Sequence, residues 1–106
     1  MKVAVLSSDR INVDGHFGTT ERFLIYELEV DGPRLVEERA CRPVYADRHT
    51  PDFDHQGIDE ILNTLGDCQK VFTSHIGRTP AARLRVSGIE PVVYDGPIAH
   101  IASHWT

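Results

Sequence analysis

Lys2 to Ser7 is the stretch that most limits what this chain can fold into. Its centre, Val3-Ala4-Val5-Leu6, is apolar with no polar residue interrupting it. A strand with one wet face alternates apolar and polar residues. A run without that alternation is a strand covered on both faces, hence central in its sheet. Such a strand demands packed layers above and below it. A length of 106 residues suits one domain spanning 1–106. A domain of that size buries about two-thirds of its unfolded surface and needs no disulfide or metal to hold it.

Ser7 to Gly18 is polar and glycine-bearing and reads as a long loop. Phe23 to Val30 alternates loosely and ends at Asp31-Gly32-Pro33. Asp-Gly between two such runs signals a hairpin, so Arg34 to Arg42 is the returning strand, polar enough for an edge. Pro43 to Gln56 is irregular, with two prolines, two histidines and three aspartates. Ile58, Ile61, Leu62 and Leu65 then recur at helical spacing, and Gly66 supplies a stop. Lys70 to Thr73 is a short strand followed by the loop Ser74-His75-Ile76-Gly77. Thr79 is expected to cap a second helix, with Pro80 at its first position and Gly88 at its end. Pro91 to Tyr94 is a fifth strand, Asp95-Gly96 a turn, and Pro97 opens a final helix ending near Trp105. Strands alternating with helices in this half call for parallel β-α-β connections. The expected architecture is a five-stranded mixed α/β sheet, with an antiparallel hairpin near the N-terminus and parallel β-α-β units towards the C-terminus. Ligands of such sheets sit beyond the carboxyl ends of the parallel strands. Loops 8–18 and 74–79 both begin there, so they should meet.

A net charge of −5 without a basic patch argues against nucleic-acid binding. Cys41 and Cys68 form neither a CxxC pair nor a disulfide framework, which fits a reduced, cytoplasmic setting. The opening MKVAVLSSD has too short an apolar core for a secretory leader. No run approaches the roughly 20 apolar residues of a membrane span. Ser7 and Ser8 follow a strand but lack the G-x-S-x-G elbow of a hydrolase. Asp9, Asp14 and Glu21 could form a carboxylate metal site for hydrolysis, although an acidic chain without a basic track suits phosphodiesters poorly. Gly77-Arg78-Thr79-Pro80, at a helix start, can hold an anion but lacks the lysine and glycines of a phosphate loop.

Val13-Asp14-Gly15-His16-Phe17-Gly18 is the leading functional candidate: two glycines flank an imidazole and an aromatic ring, so the backbone can wrap closely and present His16 outward. Six histidines occur in all, and His16, His49, His55 and His75 fall in loops expected near one rim. With Cys41 and Cys68 they supply borderline and soft metal donors. No pair has zinc-finger or HExxH spacing, so a closed structural zinc site is not expected. Taken singly, a loop histidine is most often solvated and a lone cysteine most often a small buried hydrophobe. His100 and His104 lie four apart on the last expected helix, where dipole partners are the ordinary use.

The segments MKVAV, VDGHFG, RFLIYEL, HQGIDEILNTLGDCQKVFTSHIG and RTPAARLRVSGIEPVVYDGPI, in that order, span nearly the whole chain. In combination they resemble the dinitrogenase iron–molybdenum cofactor biosynthesis family, the group of NifX, NafY and the NifB C-terminal domain. The resemblance implies a ribonuclease-H-like three-layer fold without nuclease activity. It also implies binding of an iron–sulfur or iron–molybdenum–sulfur cluster during nitrogenase cofactor assembly. By position, His16 matches the family's histidine ligand, with Gly15, Phe17 and Gly18 shaping its loop. His55 falls near the histidine-glycine segment before the central helix, Cys68 matches the DC before the fourth strand, and Ile76-Gly77 matches the loop after it. His75 has no fixed family counterpart and enters as a metal ligand on expected geometry alone. Arg10, Arg22 and Arg78 are the candidates for charge compensation. The chain stops soon after Ile98 and is expected to be a minimal, single-domain version of the family. Separately, it is expected to be a monomer or weak homodimer whose partners are cofactor-assembly or nitrogenase proteins. Two other readings stand beside the carrier: a metal- or cluster-binding regulatory module outside nitrogen fixation, and a metal-dependent hydrolase.

Overall fold

The computed structural model describes residues 1–41 and 55–104, without the side chains of residues 19, 55–57 and 102–104. Most of the irregular stretch from Pro43, including His49, lies outside the described residues, as does Trp105. The strands are β1 (Lys2–Val5), β2 (Asn12–Val13), β3 (Arg22–Glu29), β4 (Gly32–Ala40), β5 (Lys70–Thr73), β6 (Glu90–Val93) and β7 (Gly96–Pro97). The α-helices are α1 (His55–Thr64) and α2 (Arg78–Val86), with 3-10 turns at Phe17–Thr19 and Ile98–His104.

Five strands form one sheet in the order β4-β3-β1-β5-β6. β1 is antiparallel to β3, with Ala4 opposite Ile25, and parallel to β5, with Ala4 opposite Val71. β3 and β4 form an antiparallel hairpin, and β5 and β6 run parallel. The sheet is therefore mixed and five-stranded, with β1 in its middle. β1 lacks alternation because each parity meets its own layer. Ala4 and Leu6 pack with Ile58 and Ile61 of α1, Leu65 just after it, and Leu84 of α2. Val3 and Val5 pack on the other face with Val13, Phe72, Ile98 and Ile101.

Four local expectations shift. The hairpin turn is Val30-Asp31, and Gly32, at φ +120°, already belongs to β4. Segment 7–18 is not one long loop: β2 pairs antiparallel with β7, Asn12 opposite Pro97 and Val13 opposite Gly96. That pairing also removes the helix expected to open at Pro97. The Ile98 N–H donates to the Ile11 carbonyl at 2.8 Å, and only a 3-10 segment follows. Finally, α2 starts at Arg78 with Gly77 as its cap, two residues before the expected Thr79. Pro80 sits comfortably in that first turn, where an N–H would have no partner within the helix.

Candidate functional site

The site is built where β1 and β5 end. The Leu6 carbonyl accepts the N–H groups of both Asp14 (3.2 Å) and Gly15 (3.1 Å), so the chain leaves β1 and returns to its end eight residues later. The excursion is closed by its own carboxylates. Asp9 accepts the N–H groups of Ile11 and Asn12, each at 2.9 Å, and the Ser7 hydroxyl at 3.1 Å. Those backbone N–H groups, Asn12 foremost, hold the Asp9 carboxyl down at about 2. Asp14 accepts the Ser8 N–H (2.8 Å) and hydroxyl (2.6 Å). Both aspartates that the hydrolase reading would use are thus engaged in shaping the loop.

Gly15 then passes against Leu6 so closely that a Cβ there would lie 2.7 Å from the Leu6 Cβ. Its carbonyl accepts from the Ser74 N–H (3.0 Å), the Ser74 hydroxyl (3.0 Å) and the Thr73 hydroxyl (2.8 Å). One residue on, the Phe17 N–H donates to the His75 carbonyl at 3.0 Å. The two loops therefore meet, and His16 and His75 face each other across a parallel bridge. Residues opposed in this way project to the same side. Both imidazoles are exposed, their ring centroids 5.4 Å apart and their planes tilted by 49°. Their successors point inward: Phe17 is fully buried against Phe23, and Ile76 is half-buried against the same core.

Beside His16 lies a cleft of about 490 Å³ lined by Ser7, Ser8, Asp14, Glu21 and Arg22 among others. Arg10 and Arg22 both bind Glu38, at 2.6 and 3.2 Å. Arg22 also reaches the Ser8 carbonyl at 3.4 Å. The charge they carry is thereby partly answered within the protein. Arg78 is exposed at the start of α2, directly after Gly77.

The remaining candidates fall elsewhere. Cys68 is buried in the core ahead of β5, at the opposite end of that strand from His75. β5 itself, roughly 13 Å of extended chain, separates them. Burial, with Asp67 beside it, pushes the Cys68 thiol up to about 11, and its place at the far end of β5 keeps it from joining His16 and His75. Cys41 is half-buried, donates to the Thr20 carbonyl at 3.5 Å, and has its thiol likewise pushed up to about 11 by burial and then Glu21. His55 is the first residue of α1, and its side chain lies outside the described residues. Phe17 anchors the loop from below and has no surface to offer a guest. Among the described residues no three His, Cys, Asp or Glu side chains converge as a metal site, which leaves His16 and His75 as a pair.

Thr73 and Ser74 hold the two loops together, a role with little trace in the sequence. The Thr73 hydroxyl is fully buried, 2.8 Å from the Gly15 carbonyl and 2.9 Å from the His75 carbonyl. Its single proton serves one of them at a time. The only trace in the sequence is a polar residue closing the apolar run Val71-Phe72.

The chain is similar to known proteins in sequence and in fold. Residues 1–105 match the family described as dinitrogenase iron-molybdenum cofactor. The chain is 39% identical to the FeMo cofactor biosynthesis protein NifB of Klebsiella pneumoniae, over 97% of this chain and 23% of that protein. It is 30% identical to the protein NifX of Rhodobacter capsulatus, over 87% of this chain and 58% of NifX. With the protein NifY of Azotobacter vinelandii it shares 32% identity, over 87% of this chain and 35% of NifY. The chain thus spans only part of each of these relatives. The crystal structure of PH0822 superposes with a TM-score of 0.68 at 24% identity, over 97% of this chain and 87% of that one, a likeness of fold.

Proposed function

The chain belongs to the dinitrogenase iron-molybdenum cofactor family, and from that premise we propose that it is a non-enzymatic carrier of an iron–sulfur or iron–molybdenum–sulfur cluster in nitrogenase cofactor assembly. The observation that carries this reading is the meeting of His16 and His75, two exposed imidazoles 5.4 Å apart on a rim whose backbone is pinned by hydrogen bonds. A metal–sulfur cluster is large and anionic and takes nitrogen or sulfur ligands, backbone N–H groups and nearby cations. The rim offers the two imidazoles, the start of α2 at Gly77, and Arg78 beside it. It offers no cage of four thiolates. A guest held by two imidazoles on an open rim is held loosely enough to be passed on, as a carrier requires. The names of the NifB relatives, which speak of FeMo cofactor biosynthesis, support the same reading.

In this reading the fold is a ribonuclease-H-like layering used without nuclease chemistry, and residues 1–106 act as one cluster-carrying domain. The protein works in the cytoplasm as a monomer or weak homodimer, and its partners are cofactor-assembly or nitrogenase proteins. Among the described residues no helix is long and apolar enough to cross a membrane.

The test is anaerobic titration with an iron–sulfur cofactor precursor, followed by gel filtration and metal analysis. Wild-type protein is expected to elute with cluster metal, and His16→Ala to bind at least about tenfold more weakly, since even the partners behind a metal's ligands are worth about 10- to 100-fold. Equal loading of the two proteins would remove the rim from the mechanism.

A further inference from the structure

We propose that His16 and His75 also form a two-imidazole site for a single divalent late-transition-metal ion of the zinc, cobalt or nickel class. The inference shares its rim with the carrier reading but needs no cluster.

The geometry is that of a preformed pair. Two imidazole nitrogens, each about 2 Å from one ion, require ring centres several ångströms apart; the observed separation is 5.4 Å. The backbone under the rings is tied twice, by the Phe17 N–H to the His75 carbonyl and by the Ser74 N–H to the Gly15 carbonyl, both at 3.0 Å. Buried Phe17 and half-buried Ile76 anchor the same two segments from the core side. The ion therefore has to order only two side chains, and the cost of bringing two loops together is met by folding. Donor type sets the class of ion. Imidazole suits zinc, nickel and related ions, whereas calcium and magnesium demand oxygen ligands. With two protein ligands, a four-coordinate ion keeps open positions for water or a further ligand and remains exchangeable.

The experiment is calorimetric titration of the whole chain with Zn(II) alone, and with Co(II) followed by its visible absorption. One equivalent is expected to bind to wild type. His16→Ala and His75→Ala should each weaken that event at least about tenfold, and the double variant should lose little more than either single one, because the two ligands act as a unit. Circular dichroism checks that these surface variants stay folded. Thr73→Val leaves both imidazoles in place and loosens the latch below them, so a several-fold weakening is expected. Full affinity in either single histidine variant would overturn the proposal, since the ion would then sit on other residues. Zinc binding that depends on both histidines in a protein that takes up no cluster would fail the carrier reading alone. Cluster uptake without histidine-dependent zinc binding would fail this inference alone.

Discussion

Gly15 is the residue on which the rim depends most. A methyl group there would lie 2.7 Å from the Leu6 Cβ and 3.2 Å from the Leu6 carbonyl carbon, with rigid backbone on both sides. Gly15→Ala is therefore expected to cost about 1–3 kcal/mol as overpacking, read as a lower urea midpoint at unchanged slope. Because the Gly15 carbonyl holds Thr73 and Ser74, the same variant should also separate the two imidazoles, seen as weaker Zn(II) binding. A wild-type midpoint would mean that the loop has room the structure denies it. His16 itself illustrates how much a single residue discloses. Its glycine-flanked setting made it a candidate from the chain alone, because glycine permits close backbone approach. His75 carried no such local mark, and only the facing loop makes it a partner.

At the scale of elements, α2 shows why helix ends are read more safely from one terminus than from the other. Its C-terminus is a Schellman arrangement. Gly88 adopts φ +83°, the Ile89 N–H donates to the Leu84 carbonyl at 2.9 Å, and the Gly88 N–H donates to the Arg85 carbonyl at 3.0 Å. Leu84 and Ile89 complete it as neighbours in the core. Gly88→Ala meets no steric obstacle but must hold a left-handed backbone, so a loss of about 1 kcal/mol is expected, measured as a lower thermal midpoint. Stability equal to wild type would show that the helix ends differently in solution. The stop at Gly88 was legible because it uses a conformation that one residue type favours. The start lies two residues earlier than the sequence suggests, because Thr79 and Pro80 are compatible with several positions of a first turn. The last segment departs further from its expected helix: Pro97 can open a helix or lie in a strand, and pairing with β2 decides the matter.

The whole molecule is tied across its layers by Asp67, which follows α1. Arg39 of β4 grips its carboxylate at 2.7 and 2.9 Å, and Lys2 of β1 donates at 3.1 Å. Arg39 also caps the Thr64 carbonyl at 2.7 Å. The Arg39 guanidinium foremost, with Lys2, holds the Asp67 carboxyl well below the usual carboxylate range. A carboxyl depressed on folding stabilises the native state above its unfolded value, about 3.9, and that contribution is lost as pH falls towards the folded value. Asp67 is 47% exposed, so solvent screening limits Asp67→Asn to a loss of about 1 kcal/mol at neutral pH. The gap between variant and wild type should narrow as the pH is lowered from about 4. Parallel urea curves at pH 7 and near pH 2 check this, and a gap as wide near pH 2 as at pH 7 would assign the loss to packing instead. Asp9, held at about 2, adds to the acid sensitivity of the wild type over the same interval. By itself, the sequence determined which runs are buried and on how many faces. The unbroken run of β1 and the helical spacing of Ile58, Ile61 and Leu65 are properties of neighbouring residues, and burial follows from them wherever the segment docks. The meeting of loops 8–18 and 74–79 was also legible, since both leave carboxyl ends of parallel strands; only the tertiary structure decided which atoms touch there. The Gly15 carbonyl finds the hydroxyls of Thr73 and Ser74, 58 and 59 positions away, because β1 and β5 lie in parallel register. That register sets two distant imidazoles side by side and leaves Cys68 at the far end of the strand, since hydrogen-bond pairing between strands is blind to the local pattern that made each of them a strand.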